Sequence, residues 1–332
     1  EAFACKCTRG TKRNDAYQHR MGQQVAWPIG VRVVADGQLH CKERIPEGSD
    51  GRNFRYESKQ IMNAITIEAG KSGGQYWRDL WRYRELLYFL AWRDILVRYK
   101  QTVIGVSWAV IRPVLTMIVL TIVFGEFAGM SSGGVPYPLM VLCGMLPWQF
   151  FANAFAESGN SLVSNQGMIT KVYFPRLVVP IGSVVTSFVD FLISAVLLAL
   201  LLLYYGHIPD LKIFTLPLFV MLAFGAAFGA GVWVSALMVR YRDFRYVIPF
   251  IVQFGLYISP VGFSSTQVPE KWKLLHTINP MAGVIDGFRY ALLGENSLGG
   301  MQLLFSVVSI AALIVSGLYY FRKTEKTFAD II

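Results

Sequence analysis

IFTLPLFVMLAFGAAFGAGVWVSALMV, from Ile213 to Val239, runs for 27 residues without a charged side chain. A bilayer core of about 30 Å asks for about 20 apolar residues in helix, so this stretch is long enough to cross. Other runs repeat the pattern on either side of it. Tyr137 to Ala156, Val247 to Pro269 and Met301 to Phe321 carry no charge. Leu177 to Tyr205 carries only Asp190, and Ser107 to Phe127 carries Arg112 near its start and Glu126 near its end. Core helices of soluble proteins seldom run this far without a polar face. The expected fold is an all-α integral membrane protein with six transmembrane helices.

Composition agrees once the chain is divided. The whole is 54% apolar and 16% charged over 332 residues, against about 25% charged in an ordinary soluble domain. Residues 1–61 hold 18 charged side chains, while residues 62–332 hold only 34 in 271 positions. That larger part is too apolar for a disordered chain and too poor in Cys for a disulfide scaffold. Lys and Arg are partitioned among the connections. With the segment before the first span inside, fourteen basic residues fall inside and four outside, and basic loops stay cytoplasmic. Both termini are therefore expected in the cytoplasm. The net charge of +10 reads as topology, not as a nucleic-acid footprint, which would form a stripe on one face.

Between the spans, three segments carry information. Trp77, Leu80, Trp81, Tyr88, Trp92, Ile95 and Tyr99 recur at helical spacing beside basic residues, as in a helix lying among lipid headgroups; a soluble helix packed on a partner has the same pattern. Glu157 to Arg176 is polar up to the break at Pro175 and serves either as a connector or as a docking surface. Ser264 to Gly300, with Pro269, Trp272 and Pro280, reads either as short helices re-entering the outer leaflet or as a plain external loop. At membrane depth, Arg112 is near enough to an end to snorkel. Asp190 lies near the middle of its run, where a carboxylate marks a pathway or makes an interhelical hydrogen bond.

Hydrolytic and metal chemistry is not legible. Gly70-Lys71-Ser72 has Ile65 where a phosphate loop needs its first Gly. His19, His40, His207 and His276 are scattered, and Cys5, Cys7, His40 and Cys41 lack the usual C-x2-C spacing. Cys143 is expected to act as a small apolar residue. No catalytic, cofactor-binding or metal-binding residue is assigned, so any uphill work must draw its energy from elsewhere.

RDILVRYKQTVIGVSWAVIRPVL (Arg93 to Leu115), GMLPWQFF (Gly144 to Phe151), SNQGMITKVYFPRLVVP (Ser164 to Pro180) and RYRDF (Arg240 to Phe244) occur in that order. VPEKWKLLHTINPMAGVIDGFRYALLG (Val268 to Gly294) and the terminal FADII follow. Together they resemble ABC-2-type permeases of the exporters of O-antigen, capsule and teichoic acid, over about residues 76–332. The resemblance implies a cytoplasmic segment with an interfacial amphipathic helix over 62–106, bearing Trp77, Trp81 and Trp92. A transmembrane domain over 107–321 and a cytoplasmic tail over 322–332 would follow. It implies a homodimer in a bacterial inner membrane, paired with two copies of a nucleotide-binding ATPase that holds ATP and Mg. The segment between the second and third spans would seat in that ATPase through Glu157, Ser161, Asn165, Gly167 and Lys171. Pro269 to Leu293 would supply paired re-entrant helices. The cargo would be a lipid-linked glycan, moved among membrane lipids.

A sugar polymer needs a polar-tolerant conduit, and aromatic faces suit the apolar faces of sugar rings. Trp108, Phe124, Phe127, Trp148, Phe151, Phe155, Tyr257 and Phe263 are the candidate lining residues; lipid anchoring and packing are their other uses. Rival functions are an exporter of a small hydrophobic compound, an ion-coupled carrier working through Asp190, and a membrane scaffold. Residues 1–61 lack the family's motifs and are expected to be disordered or a non-native extension ahead of Met62.

Overall fold

The computed structural model describes residues 73–100, 107–295, 298–325, 327 and 328, all within the compact unit Ser72–Ile332. The expectations for residues 1–61 and for Met62 lie outside the described residues, as does most of FADII. Among the described residues there is no strand. Helices α1 (Gly73–Arg82) and α2 (Arg84–Lys100) precede α3 (Ser107–Leu120), which continues as a π-helical segment, Thr121–Phe127. Next come α4 (Tyr137–Ser164), the four-residue α5 (Gln166–Ile169), α6 (Val178–Tyr204) and α7 (Leu216–Arg240), which a 3-10 turn (Leu211–Thr215) leads in. The chain closes with α8 (Phe244–Ile258), α9 (Glu270–Ile278), α10 (Pro280–Leu293) and α11 (Gly300–Glu325).

Five of these helical segments are long and apolar enough to cross a membrane: Ser107–Phe127, α4, α6, Leu211–Arg240 and α11. The expected span at Val247–Pro269 is not among these five. Its helix, α8, has 15 residues and reaches only about 22 Å at 1.5 Å per residue. Ser259 turns extended (φ −83°, ψ 148°) because the ring of Pro260 disfavours helical backbone in the residue before it. The rest of that charge-free run is irregular backbone apart from a 3-10 turn at Ser265–Gln267.

α4 forms the axis, packing against α3, α6, α7, α8 and α10. Phe150 of α4 sits at its centre, with ring centroids of Phe188 and Phe191 at 5.6 and 5.5 Å. Phe288 of α10 meets Phe191 edge-on at 6.1 Å. α7 and α11 approach at backbone distance: a Cβ on Gly229 would lie 2.8 Å from the Ile314 nitrogen, and one on Gly317 2.8 Å from the Gly229 carbonyl oxygen. Small residues permit this close packing between spans.

The bundle has two distinguishable ends. Arg176, Arg240, Arg242, Arg245, Arg322 and Lys323 gather at one, hereafter the basic end, where the Arg176 backbone N–H donates to Glu325 at 2.9 Å. At the opposite end, Lys212 donates to the Gly294 carbonyl at 3.0 Å. α10 is buried along nearly its whole length, whereas most of α9 is exposed.

Two segments differ from expectation. The aromatic stripe from Trp77 to Tyr99 is shared between α1 and α2, which meet at Tyr83, where the Tyr83 N–H still donates to the Asp79 carbonyl and the Leu87 N–H to the Tyr83 carbonyl. α2 docks on α6 through Leu87 and Leu90, which approach Gly182, while Trp77, Trp81, Tyr88 and Trp92 remain exposed. Tyr99 turns inward instead, to Asp190. The polar segment from Glu157 begins as helix, since α4 runs on to Ser164 and buries Ser158 and Ser161.

Candidate functional site at the basic end of the bundle

Three spans place polar side chains on one face at intervals of three or four residues, which stack on a helix. α4 contributes Gln149, Asn153 and Glu157; α6 contributes Ser187, Asp190 and Ser194; α3 contributes Trp108 and Arg112. All but Ser187 line one cleft of about 350 Å³, closed on another side by Arg98 and Tyr99 from α2. The Arg98 guanidinium bridges Glu157 and Asp190, one nitrogen to each. Tyr99 donates its hydroxyl to Asp190, and Ser187 donates to the other Glu157 oxygen at 3.0 Å.

Electrostatically this is one cation held between two anions, none of them sealed. The side chains of Arg98 and Asp190 keep 31% and 17% of their exposure. Burial works against the Arg98 charge, but Glu157 and Asp190 more than restore it and lift its pKa above the usual value. The Tyr99 hydroxyl is raised as well, first by burial and then by its bond to Asp190. Arg112 adds a second cation at the cleft.

A second charged group lies at the opposite end. Asp286 and Arg289, one turn apart on α10, are both fully buried. Arg289 donates to the Phe263 carbonyl at 2.8 Å and the Val261 carbonyl at 3.0 Å. Asp286 accepts from Ser265 at 2.5 Å and from Gln302 at 2.7 Å. Tyr137 donates to the Gly262 carbonyl at 2.5 Å. The bonds from Arg289 and Tyr137 satisfy the irregular backbone after α8, which an apolar surrounding would otherwise leave unpaired. Sequence reading placed Arg289 among external loop charges; an Asp and an Arg three residues apart within the apolar stretch 280–293 was the available signal.

The residues expected for coupling separate. Glu157 belongs to the cleft and Ser161 is buried in α4, donating to the Ser158 carbonyl at 2.7 Å. Asn165, in the turn between α4 and α5, accepts from Arg93 of α2 at 2.9 Å. Gly167 and Lys171 are exposed on the connection beyond it.

The eight candidate lining aromatics do not share one surface. Trp108 lines the cleft. Trp148, Phe151 and Phe155 form a ladder along α4 at 5.6 and 5.9 Å. α8 covers part of it, so closely that a Cβ on Gly255 would lie 2.4 Å from the Trp148 ring. Phe124 packs on Gly262, and Phe263 lies 6.5 Å from the His276 ring. Phe127 and Tyr257 are exposed, Tyr257 on the helix where Tyr246, Phe250 and Phe254 are exposed too.

Five helices long and apolar enough to cross a membrane, with charged side chains held between them, make the architecture that of a multi-pass membrane protein. The chain belongs to the ABC-2 type transporter family, whose pattern matches residues 85–293. It is 28% identical over 250 residues to the O-antigen export system permease protein RfbA of Klebsiella pneumoniae, covering 75% of this chain and 95% of that protein. A protein of the same name from Myxococcus xanthus is 25% identical over 260 residues, with 77% and 98% covered. The polysialic acid transport protein KpsM of Escherichia coli is 22% identical over 243 residues, with 70% and 91% covered.

Proposed function

We propose that this chain is the permease subunit of an ATP-driven exporter that carries a lipid-linked polysaccharide across the bacterial inner membrane. The observation that carries the reading is the near end-to-end match to permeases named for O-antigen export. The chain itself is no enzyme here. ATP and Mg belong to a separate nucleotide-binding subunit, and two copies of each chain form the working unit. The basic end faces the cytoplasm, as its Lys and Arg content favours. Residues 73–100 lie at the cytoplasmic interface, with the exposed Trp77, Trp81 and Trp92 among lipid headgroups, and the helices between 107 and 321 form the transmembrane domain. α9 and α10 are the short re-entrant helices of the outer end.

Force enters at the connection holding Asn165, Gly167 and Lys171, when the partner's ATPase dimer closes. Its bond to Arg93 joins that connection to α2, and α2 carries Arg98 and Tyr99 into the cleft. A push there moves the wall of the cleft as a rigid body. The aromatic rings of α3 and α8 that stay exposed, Phe127 and Tyr257 among them, are available to line a conduit between two copies. Asp190 already has a fixed partner in Arg98, which it shares with Glu157, and this speaks against an ion-coupled carrier. The test is deletion of this chain, scored for lipid-linked polymer trapped in the cytoplasm and lost from the surface. Normal surface polymer in the deletion strain overturns the proposal.

A further inference from the structure

We infer that the cleft between α2, α3, α4 and α6 binds a neutral sugar ring of the transported polymer, with Trp108 as its stacking face and Gln149 and Asn153 as its hydrogen-bonding partners. The inference rests on the exporter reading above and specifies where in one protomer the polymer is held.

Spare bonding capacity comes first. Polar side chains inside membrane spans are costly and face partners, water or a pathway. Glu157 and Asp190 have protein partners, but the Gln149 and Asn153 amides line the cleft without bonding any described residue. Each amide offers two donors and an acceptor oxygen, the pattern that vicinal hydroxyls satisfy. Four residues apart on α4, they lie one above the other on the same wall. Trp108, also lining the cleft, keeps 47% of its exposure. Its indole offers a flat apolar face beside these polar groups.

Charge then selects the class of ligand. A phosphate or pyrophosphate entering here would meet both carboxylates, while the Arg98 guanidinium between them is already engaged by each. Among the described residues lining the cleft, Arg112 is the one further cation. Hydroxyl groups of an uncharged ring find acceptors in the carboxylates and both kinds of partner in the amides. Size agrees: about 350 Å³ falls at the small end of ligand cavities, which run from about 300 to 1,000 Å³. That is the scale of a sugar ring or two, not of a lipid tail.

The test uses the full chain in lipid nanodiscs, grown with fluorotryptophan and read by fluorine NMR. The Trp108 resonance is assigned by its loss in Trp108→Phe. The probes are oligosaccharides released by mild acid from the source strain's own surface glycan and, separately, inorganic pyrophosphate. The oligosaccharides are expected to shift the Trp108 resonance saturably, and pyrophosphate to leave it in place. Asn153→Ala and Gln149→Ala are each expected to weaken the oligosaccharide effect about tenfold, the loss of one or two hydrogen bonds. Either variant alone suffices if the other fails to fold. A Trp108 resonance that ignores the oligosaccharides, or answers only to pyrophosphate, overturns the sugar assignment while leaving the exporter reading intact. Surface glycan that persists after deletion of the chain overturns the exporter reading instead.

Discussion

At the basic end, Arg98 meets Glu157 and Asp190 across a cleft that stays open to its surroundings. At the other end, Asp286 and Arg289 are fully buried and tied to the carbonyls of Val261 and Phe263 and to the side chains of Ser265 and Gln302. Both clusters set Arg against Asp, yet their settings give them different work. Open charges are screened and contribute little to stability, so they remain available to a ligand or a moving helix. Sealed charges are expensive to break, and they hold backbone that has no other partner.

Replacement of Arg289 by Leu is the severest test of that contrast. It removes the cation 3.9 Å from the buried Asp286 carboxylate and strands two carbonyls, and a loss of about 3–5 kcal/mol is expected, read as a large fall in thermal midpoint in detergent. Arg289→Lys recovers only part of it, because one ammonium lacks the planar fork that serves both carbonyls. Asp190→Asn should cost far less, about 1 kcal/mol, since Arg98 keeps Glu157 and the site is partly solvated. Its effect should fall on polymer export, measured as surface glycan per molecule of permease. Equal losses in the two melts would erase the distinction between open and sealed.

The smallest effect is one of pH. Burial lowers the pKa of His276, with Asp286 opposing. The folded state therefore binds its proton less readily than the unfolded chain, whose His titrates near 6.5. Stability should hold above that pH, decline as pH falls through about 6.5, and level off below the folded value. Melts taken between about pH 5 and 8 should show this slope, and His276→Gln should remove it.

Charge-free length made most of the spans legible, because a bilayer imposes a minimum run that few other environments ask for. It overstated α8, where the turn at Ser259-Pro260 outweighs hydropathy. Glu157 looked like the start of a connection because it is the first charge after Ala156. Its partner Arg98 lies 59 residues away, and a tertiary ion pair leaves no local trace. Asp190 was legible as a charge at depth that either marks a pathway or bonds a neighbouring helix, but its partners Arg98 and Tyr99 were not. Arg289 was legible only as an external charge, and Asp286 not as its neighbour, because their bonds to Val261, Phe263, Ser265 and Gln302 are tertiary. The aromatic residues were legible as types but not as surfaces, because Gly255, which lets α8 lie on Trp148, is as silent in sequence as any other glycine.

The meeting of Gly229 with Ile314 and Gly317 has a practical consequence for watching this protein at work. Where the two helices touch through their backbones, no side chain is there to compress, so a relative slide of α7 and α11 is resisted at that point. Spectroscopic labels placed on that pair give a fixed ruler inside the membrane. Against it, displacements of α2, α3 or α8 can be measured in ångströms while the rest of the molecule moves.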